Sequence, residues 1–342
     1  MLFAELSDRL RKNGYQVTIA TREYREVNQV LEIKGLAAQI VGKHGGANLQ
    51  DKLKASAQRT LELAFLLADS RPNVAVSFAS PETSRVAFGL GIPHVCVNDS
   101  PHSEAVARLT TPIVTLLLTP KFIPKAVWTR FGIDPSQIIQ YNALDPWAWL
   151  KDFKPDKGVL KQLGLKTSSS IVVFRTEESS ASYLLGKTKK TPVWVSLLES
   201  LLKSKDDLQI VIIPRYDDQI AQLTERFQER AVVCKSAIDA PSLLAHSSAF
   251  IGAGGTMTAE AALLGVPTFS CYPDEPSLIE KHLIARRLVI RETNLQQLET
   301  KVLRTLRNVA ASKRMQLRRA KAFTKGFEDP IEVIMKAIQK AA

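Results

Sequence analysis

Phe250-Ile251-Gly252-Ala253-Gly254-Gly255-Thr256-Met257-Thr258-Ala259-Glu260-Ala261-Ala262-Leu263-Leu264-Gly265-Val266-Pro267 runs from an apolar stretch through three glycines into helix-forming residues and a second turn. It reads as strand, glycine turn, helix and the start of the next strand. Gly254 and Gly255 let backbone approach a ligand closely and can take positive φ. Thr256 is the expected N-cap. The helix it opens would turn unbonded N–H groups and a positive dipole end toward a phosphate. The same residues also fit a plain tight turn, with Glu260 placed where the dipole favours an acid. No Gly-Lys-Ser/Thr follows, so this is not a Walker loop.

Outward from this segment, short apolar runs alternate with helical patterns along the chain. Strands are expected at Val17–Ala20, Ala38–Val41, Val74–Phe78, Pro93–Val97, Ile113–Leu118 and Ile138–Tyr141, with helices between them. The pattern restarts with strands at Ile171–Phe174, Leu208–Ile213, Ala231–Cys234, Phe250–Ile251 and Thr268–Cys271. These runs are continuously apolar, as buried parallel strands are. Strands alternating with helices define an α/β class built of doubly wound, Rossmann-like parallel sheets. At 342 residues the chain exceeds one ordinary core, so two domains are expected. Pro146, Trp147, Trp149 and Pro155 break the rhythm. The expected division is residues 1–145, a link at 146–157, a second domain at 158–328 and a closing helix at 329–342, opened by Asp329-Pro330. The chain begins on a helix, with Leu2, Phe3, Leu6 and Leu10 on one face, whereas a doubly wound domain opens on a strand. Either the first domain lacks that strand or the true start lies upstream of Met1.

Hydrophobic residues at 45% and charged residues at 23% are ordinary for a soluble globular protein. No apolar run is long enough to span a bilayer, and Met1-Leu2-Phe3-Ala4-Glu5 lacks the layout of a signal peptide, so a cytoplasmic location is expected. Cys96, Cys234 and Cys271 show neither zinc nor disulfide spacing and read as buried thiols. The net charge of +12 is concentrated in Lys281–Lys325, which carries thirteen Lys or Arg against Glu292 and Glu299. That segment reads first as a solvated helix face, and second as a surface for an anionic membrane, which would make the protein membrane-peripheral. No binding module or interleaved aromatics accompany the charge, which disfavours nucleic acid.

Several loops follow strands, where α/β proteins bind ligands. Lys43-His44-Gly45-Gly46 could hold an anion or supply an acid/base pair, or be a surface loop with flexible glycines. In Ser80-Pro81-Glu82, Ser80 and Pro81 fit the N-cap and first position of a helix. In Asn98-Asp99-Ser100-Pro101-His102, Asp99 could orient His102 as a general base, or cap a turn before a helix. His94 reads as a core histidine, and His246 and His282 as structural. No cluster with metal-ligand spacing stands out, and neither a metal nor a cofactor is expected.

The Gly254-Gly255-Thr256-Met257-Thr258 loop resembles the donor-binding loop of GT-B glycosyltransferases and of UDP-N-acetylglucosamine 2-epimerase. Nearly the whole chain resembles a mainly archaeal family of GT-B-like proteins known as a domain of unknown function. The resemblance rests on Val41–Gly46, Ser77–Glu82, Ile92–His102, Tyr141–Pro146 and the glycine loop. It implies two Rossmann-like domains facing across a cleft, the second binding a UDP-type nucleotide-sugar and the first an acceptor. Gly254, Gly255, Thr256 and Met257 would then lie at the nucleotide diphosphate, and Glu260 would bind ribose. Arg175 falls where the superfamily puts a basic residue against phosphate, a role that suits a guanidinium. Arg215 ends the next strand and could do the same. Either could instead pair with neighbouring acids, Glu177 for Arg175 and Asp217 or Asp218 for Arg215. Ser182-Tyr183 could flank this pocket. Glu82 lies near an acidic position of the epimerase. Where the epimerase has a glutamate this chain has Asn98-Asp99, which counts against 2-epimerase chemistry. The resemblance thus implies a glycosyltransferase with Asp99 or His102 as base and His44 or Glu82 next. The alternatives are a sugar-nucleotide 2-epimerase and a non-enzymatic protein that kept the fold.

Overall fold

The computed structural model describes residues 1–46, 48–176, 193–204 and 207–342. The chain divides into two compact units: residues 1–149 together with 326–342, and the described residues of 150–325.

The first unit holds strands β1 (Ala20–Glu23), β2 (Gln39–Lys43), β3 (Ala75–Phe78), β4 (His94–Val97), β5 (Leu116–Pro120) and β6 (Ile138–Tyr141). β3, β4, β5 and β6 form one parallel sheet in that order, while β1 and β2 form a separate parallel pair. No strand among the described residues joins the two sheets. Val95, Val97 and Leu118 are fully buried. The N-terminal helix Leu2–Lys12 and the C-terminal helix Pro330–Ala341 help to cover them, through Leu2, Leu6, Leu10, Ile331, Ile334 and Ile338. Pro330 takes the first turn and Asp329 accepts the Ile331 N–H, so this helix starts where its caps dictate. Arg9 fastens the two helices through Asp329 (2.6 Å) and Glu332 (2.8 Å). β1 begins three residues later than its apolar run suggests, because Val17 packs into this core while pairing with β2 starts at Ala20 opposite Gln39. A 3-10 turn at Thr111–Ile113 likewise delays β5 to Leu116.

The second unit is a single parallel sheet of β7 (Ser170–Arg175), β8 (Leu208–Ile213), β9 (Val232–Val233), β10 (Ala249–Gly252), β11 (Thr268–Ser270) and β12 (Val289–Arg291). Its spatial order is β9-β8-β7-β10-β11-β12, the Rossmann order, and the winding reverses between β7 and β10. Alternate residues of the strands face opposite layers. Val172, Phe174, Ile210 and Ile212 pack beneath Leu197, Leu201, Leu298 and Val302. Val173, Val211 and Phe250 pack against Leu243, Leu244 and Ala261. β12 is only three residues long, too brief for its periodicity to announce a strand.

Part of the basic segment is structural. Lys313 Nζ donates to the carbonyls of Ala245 and Ser247, both at 2.8 Å, at the end of helix Ala240–His246. Arg319 donates to the Arg287 carbonyl, Arg291 to those of Tyr272 and Asp274, and Lys301 pairs with Glu292. The segment is therefore not one uniformly solvated face. No helix among the described residues is long and apolar enough to cross a membrane. All three cysteines are buried, and burial pushes the thiols of Cys96 and Cys234 up to about 11 and about 12.

His94 is buried on β4, with Nε2 2.9 Å from Ser77 Oγ and Nδ1 without a partner among the described residues. Burial lowers its pKa from 6.5 to about 4. Between those values the unfolded chain binds the extra proton and the folded chain does not, so stability contributed by neutral His94 is lost as pH falls. Urea unfolding of the parent and of His94→Asn at pH 7 and 4.5 should show a loss on acidification smaller in the variant by about 2 kcal/mol. Equal losses would contradict this assignment.

Candidate functional site

The glycine loop lies at the carboxyl end of β10, beside the end of β7, where the winding reverses. Gly254 has φ 80°, and Gly255 has φ 85° with ψ −173°, a region essentially restricted to glycine. Gly255 itself is the N-cap of helix Thr256–Leu263. This corrects the expectation for Thr256, which occupies the first helical position, and no side chain caps the helix. Helix-end N–H groups without a side-chain cap suit an anionic ligand. Gly255 and Thr256 are exposed, Met257 packs on the core, and Glu260 is buried on the helix.

Arg215, at the end of β8, is brought to this loop. Its N–H donates to Thr176 Oγ1 (3.1 Å) and Gln219 Oε1 (2.9 Å), and its Nε to the Thr176 carbonyl (3.3 Å). Held so, its guanidinium reaches the loop: a Cβ placed on Gly255 would lie 3.6 Å from Arg215 Nη2. Arg175 instead turns toward the end of β8, donating to the carbonyls of Pro214 (2.6 Å) and Ile213 (3.3 Å). Of the two arginines, the sequence favoured Arg175, but Arg215 is the one the structure sets beside the glycines. Glu177, Ser182 and Tyr183 lie outside the described residues.

Glu280 escaped sequence reasoning. Ser277-Leu278-Ile279-Glu280 has the form of a capping box, and Ser277 does cap the Glu280 N–H (3.2 Å). The Glu280 carboxylate, however, turns to the glycine loop, and a Cβ on Gly254 would stand 2.8 Å from its Oε2. Oε1 is buried with no partner among the described residues. Burial raises the Glu280 pKa, against the opposing pulls of Ser270 and Arg291. A buried acceptor without a donor is costly and suits a ligand hydroxyl.

In the first unit the carboxyl ends of β4 and β6 gather a second group. Asn98 forms the turn, accepting the Ser100 N–H (2.9 Å), so Asp99 is not needed as the cap. Asp99 accepts from Ser100 Oγ (2.6 Å). Burial raises the Asp99 pKa, while Ser100 and the neighbouring His102 pull it down. His102 is exposed; desolvation lowers its pKa and Asp99 opposes this. Asp145, not singled out from sequence, is buried after β6 and accepts from Tyr141 Oη. Its second oxygen has no partner among the described residues. Burial first, then the charge of Asp99, hold the Asp145 pKa well above the usual carboxylate range. Buried carboxyl groups held above their ordinary range, one of them also by the charge of the other, are a recurrent acid/base device.

The other candidates have structural partners. Glu82 is bound by Ser56 Oγ (2.7 Å) and Ser80 Oγ (3.0 Å), joining two helices. His44 Nδ1 accepts the Gly46 N–H (3.1 Å), and its ring lies 5.0 Å from that of Tyr24. Gly45 is required by packing, since a Cβ there would stand 2.6 Å from Lys52 Cα. Lys43 ends β2 and Gly46 has φ 66°. Among the described residues no group of three or more His, Cys, Asp or Glu could hold a metal ion.

The chain belongs to the family described as Protein of unknown function (DUF354), whose model matches residues 1–342. A relative, Uncharacterized protein MJ0665 of Methanocaldococcus jannaschii, is 34% identical over 302 residues, covering 86% of this chain and 85% of its own. The UDP-GlcNAc 2-epimerase of Neisseria meningitidis, solved bound to UDP-GlcNAc, is similar in fold with a TM-score of 0.72 at 16% identity, over 98% of this chain and 95% of its own. Spinosyn forosaminyltransferase SpnP has a TM-score of 0.62 at 17% identity, over 99% and 94%. The fold is GT-B-like.

Gly255→Ala should destabilise the second unit by about 1–3 kcal/mol in urea unfolding, because a Cβ is strained at that φ and ψ. An unchanged midpoint would show that the loop does not hold this conformation.

Proposed function

We propose that the protein is a nucleotide-sugar-dependent enzyme whose second unit binds the nucleotide diphosphate at the glycine loop. The observation carrying this reading is the convergence of Arg215 and Glu280 on Gly254-Gly255 at the switch point of the sheet. The N–H groups of the helix start and the Arg215 guanidinium offset diphosphate charge, as oriented donors do at developing charge. Glu260 and Glu280 take hydroxyls of the nucleotide or its sugar, and Arg175 keeps the end of β8 in place. UDP is the nucleotide to test first, since the Neisseria structure holds UDP-GlcNAc.

The reaction we favour is glycosyl transfer. Asp99, with His102 beside it, accepts the proton of an acceptor hydroxyl as the glycosidic bond to the diphosphate breaks. A second reading is epimerisation of the sugar nucleotide, favoured by one observation: Asp145 adds a second carboxylic acid of raised pKa near Asp99. Incubation with UDP-GlcNAc in deuterated water without acceptor separates the two. Epimerisation gives an epimer carrying solvent deuterium, whereas transfer gives none.

Thermal unfolding with UDP and UDP-GlcNAc tests the binding site. A ligand at one hundred times its Kd adds about 2.7 kcal/mol of stability. Arg215→Ala and Glu280→Gln should each weaken binding at least about tenfold, the equivalent of about 1.4 kcal/mol. Unchanged affinity in both variants would remove this site from consideration.

A further inference from the structure

Of the thirteen cations in Lys281–Lys325, five are held by structural partners. Lys281 pairs with Glu275 and Lys301 with Glu292, while Arg291, Lys313 and Arg319 donate to backbone carbonyls. Four of the rest lie on helix Val309–Thr324 and its C-cap: Arg314, Arg318, Lys321 and Lys325. Spacings of four, three and four put them on one face, about 16 Å from first to last at 1.5 Å per residue. The helix packs by its other side. Gln316 and Ala320 are buried there, and a Cβ on Gly265 would stand 2.6 Å from Leu317 Cα. The turn after helix Leu278–Ala285 adds Arg286 and Arg287, because Gln316 donates to the Leu288 carbonyl (3.0 Å) and Arg319 to that of Arg287 (3.1 Å). All six cations are exposed and form no ion pair among the described residues. From Thr300 to Phe327 the sequence has no Asp or Glu to offset them.

Like charges three and four residues apart on a helix repel, so the folded chain keeps this face at an electrostatic cost that an anionic partner relieves. We infer that the face docks the protein on an anionic membrane surface. Clusters of Lys and Arg on a helix face are a recurrent device for anionic lipid. The cationic row meets the phosphates of the headgroup plane. Met315 and Leu317, 49% and 42% exposed on the two flanks of the row, enter the headgroup layer, and the apolar stems of the Arg and Lys side chains lie along it. Nucleic acid fits the same face less well. A helix buried along one side offers only a stripe, too little to enter the major groove as a recognition helix does. Its one aromatic, Phe323, lies against His282 (5.6 Å between rings), on the side away from the cations, so no ring is offered to bases. Exposed Met315 and Leu317 are of use to a lipid surface and of none to a phosphate backbone.

Co-sedimentation of the full chain with vesicles tests this. At low salt it should bind vesicles of mixed phosphatidylglycerol and phosphatidylcholine and not vesicles of phosphatidylcholine alone, and binding should weaken as salt is raised. Each cation near an anionic surface is worth about a fivefold change in partitioning. The Arg314→Gln/Arg318→Gln/Lys321→Gln/Lys325→Gln chain should therefore bind about 100-fold more weakly or worse, while keeping its circular dichroism and melting temperature, since all four side chains are exposed. Lys12→Gln/Lys34→Gln/Lys336→Gln/Lys340→Gln, at four exposed lysines of the first unit, removes the same charge and should weaken binding by less than about tenfold. Met315→Ser should weaken it by about threefold. No binding to the anionic vesicles at low salt, or equal losses in the two four-site chains, would overturn the inference. So would a DNA duplex that displaces the chain from the vesicles at equal phosphate concentration, which would assign the face to nucleic acid.

Discussion

The parallel pairing of β7 with β10 is the constraint on which the site of the second unit depends. The two strands are distant in sequence, and connections leave their neighbours in opposite directions along the sheet. A gap therefore opens at their carboxyl ends that no crossover helix fills. Into it the chain delivers a backbone turn that only glycine can make at Gly255, and a helix start without a side-chain cap. Arg215 and Glu280 then arrive from either side, one from the end of β8 and one from the helix after β11. A cation and a buried unpartnered acceptor on the same short loop present complementary chemistry: charge for an anion and a carboxylate for a hydroxyl.

The first unit carries a different electrostatic problem. Asp99 and Asp145 come from the ends of β4 and β6, with β5 between them, and the sheet brings their charges within mutual influence. Burial of both acids is costly in the charged form, and Tyr141 and Ser100 offset only part of that cost. The outcome is carboxyl groups held above their ordinary range, able to carry a proton at a pH where surface acids cannot. That property is shared by acid/base sites that move protons in opposite directions.

Much of the fold was legible because buried parallel strands are apolar without interruption, and most of the strands announce themselves by that rule. β12 did not, because three residues cannot establish a period, and β1 was displaced because Val17 spends its apolar side chain on the core. The glycine loop was legible as a turn that opens a helix at the end of a strand, since Gly254 and Gly255 can take the positive φ that they do adopt. The partners of that loop were not. Choosing Arg215 over Arg175 depends on the backbone carbonyls each one meets, which sequence does not encode locally. Glu280 was hidden by a local pattern that explained it too well, the capping box begun by Ser277. Glu82 was an opposite case: an acid at a strand end that turns out to fasten two helices through Ser56 and Ser80.

The central claim is that the loop at Gly254-Gly255, with Arg215, receives a nucleotide diphosphate. The most direct measurement is a crystal structure of the chain grown with UDP. The account predicts the diphosphate within hydrogen-bond distance of the N–H groups at the start of helix Thr256–Leu263 and of the Arg215 guanidinium, with a hydroxyl on Glu280 or Glu260. UDP bound elsewhere, or an empty loop at saturating UDP, would contradict it.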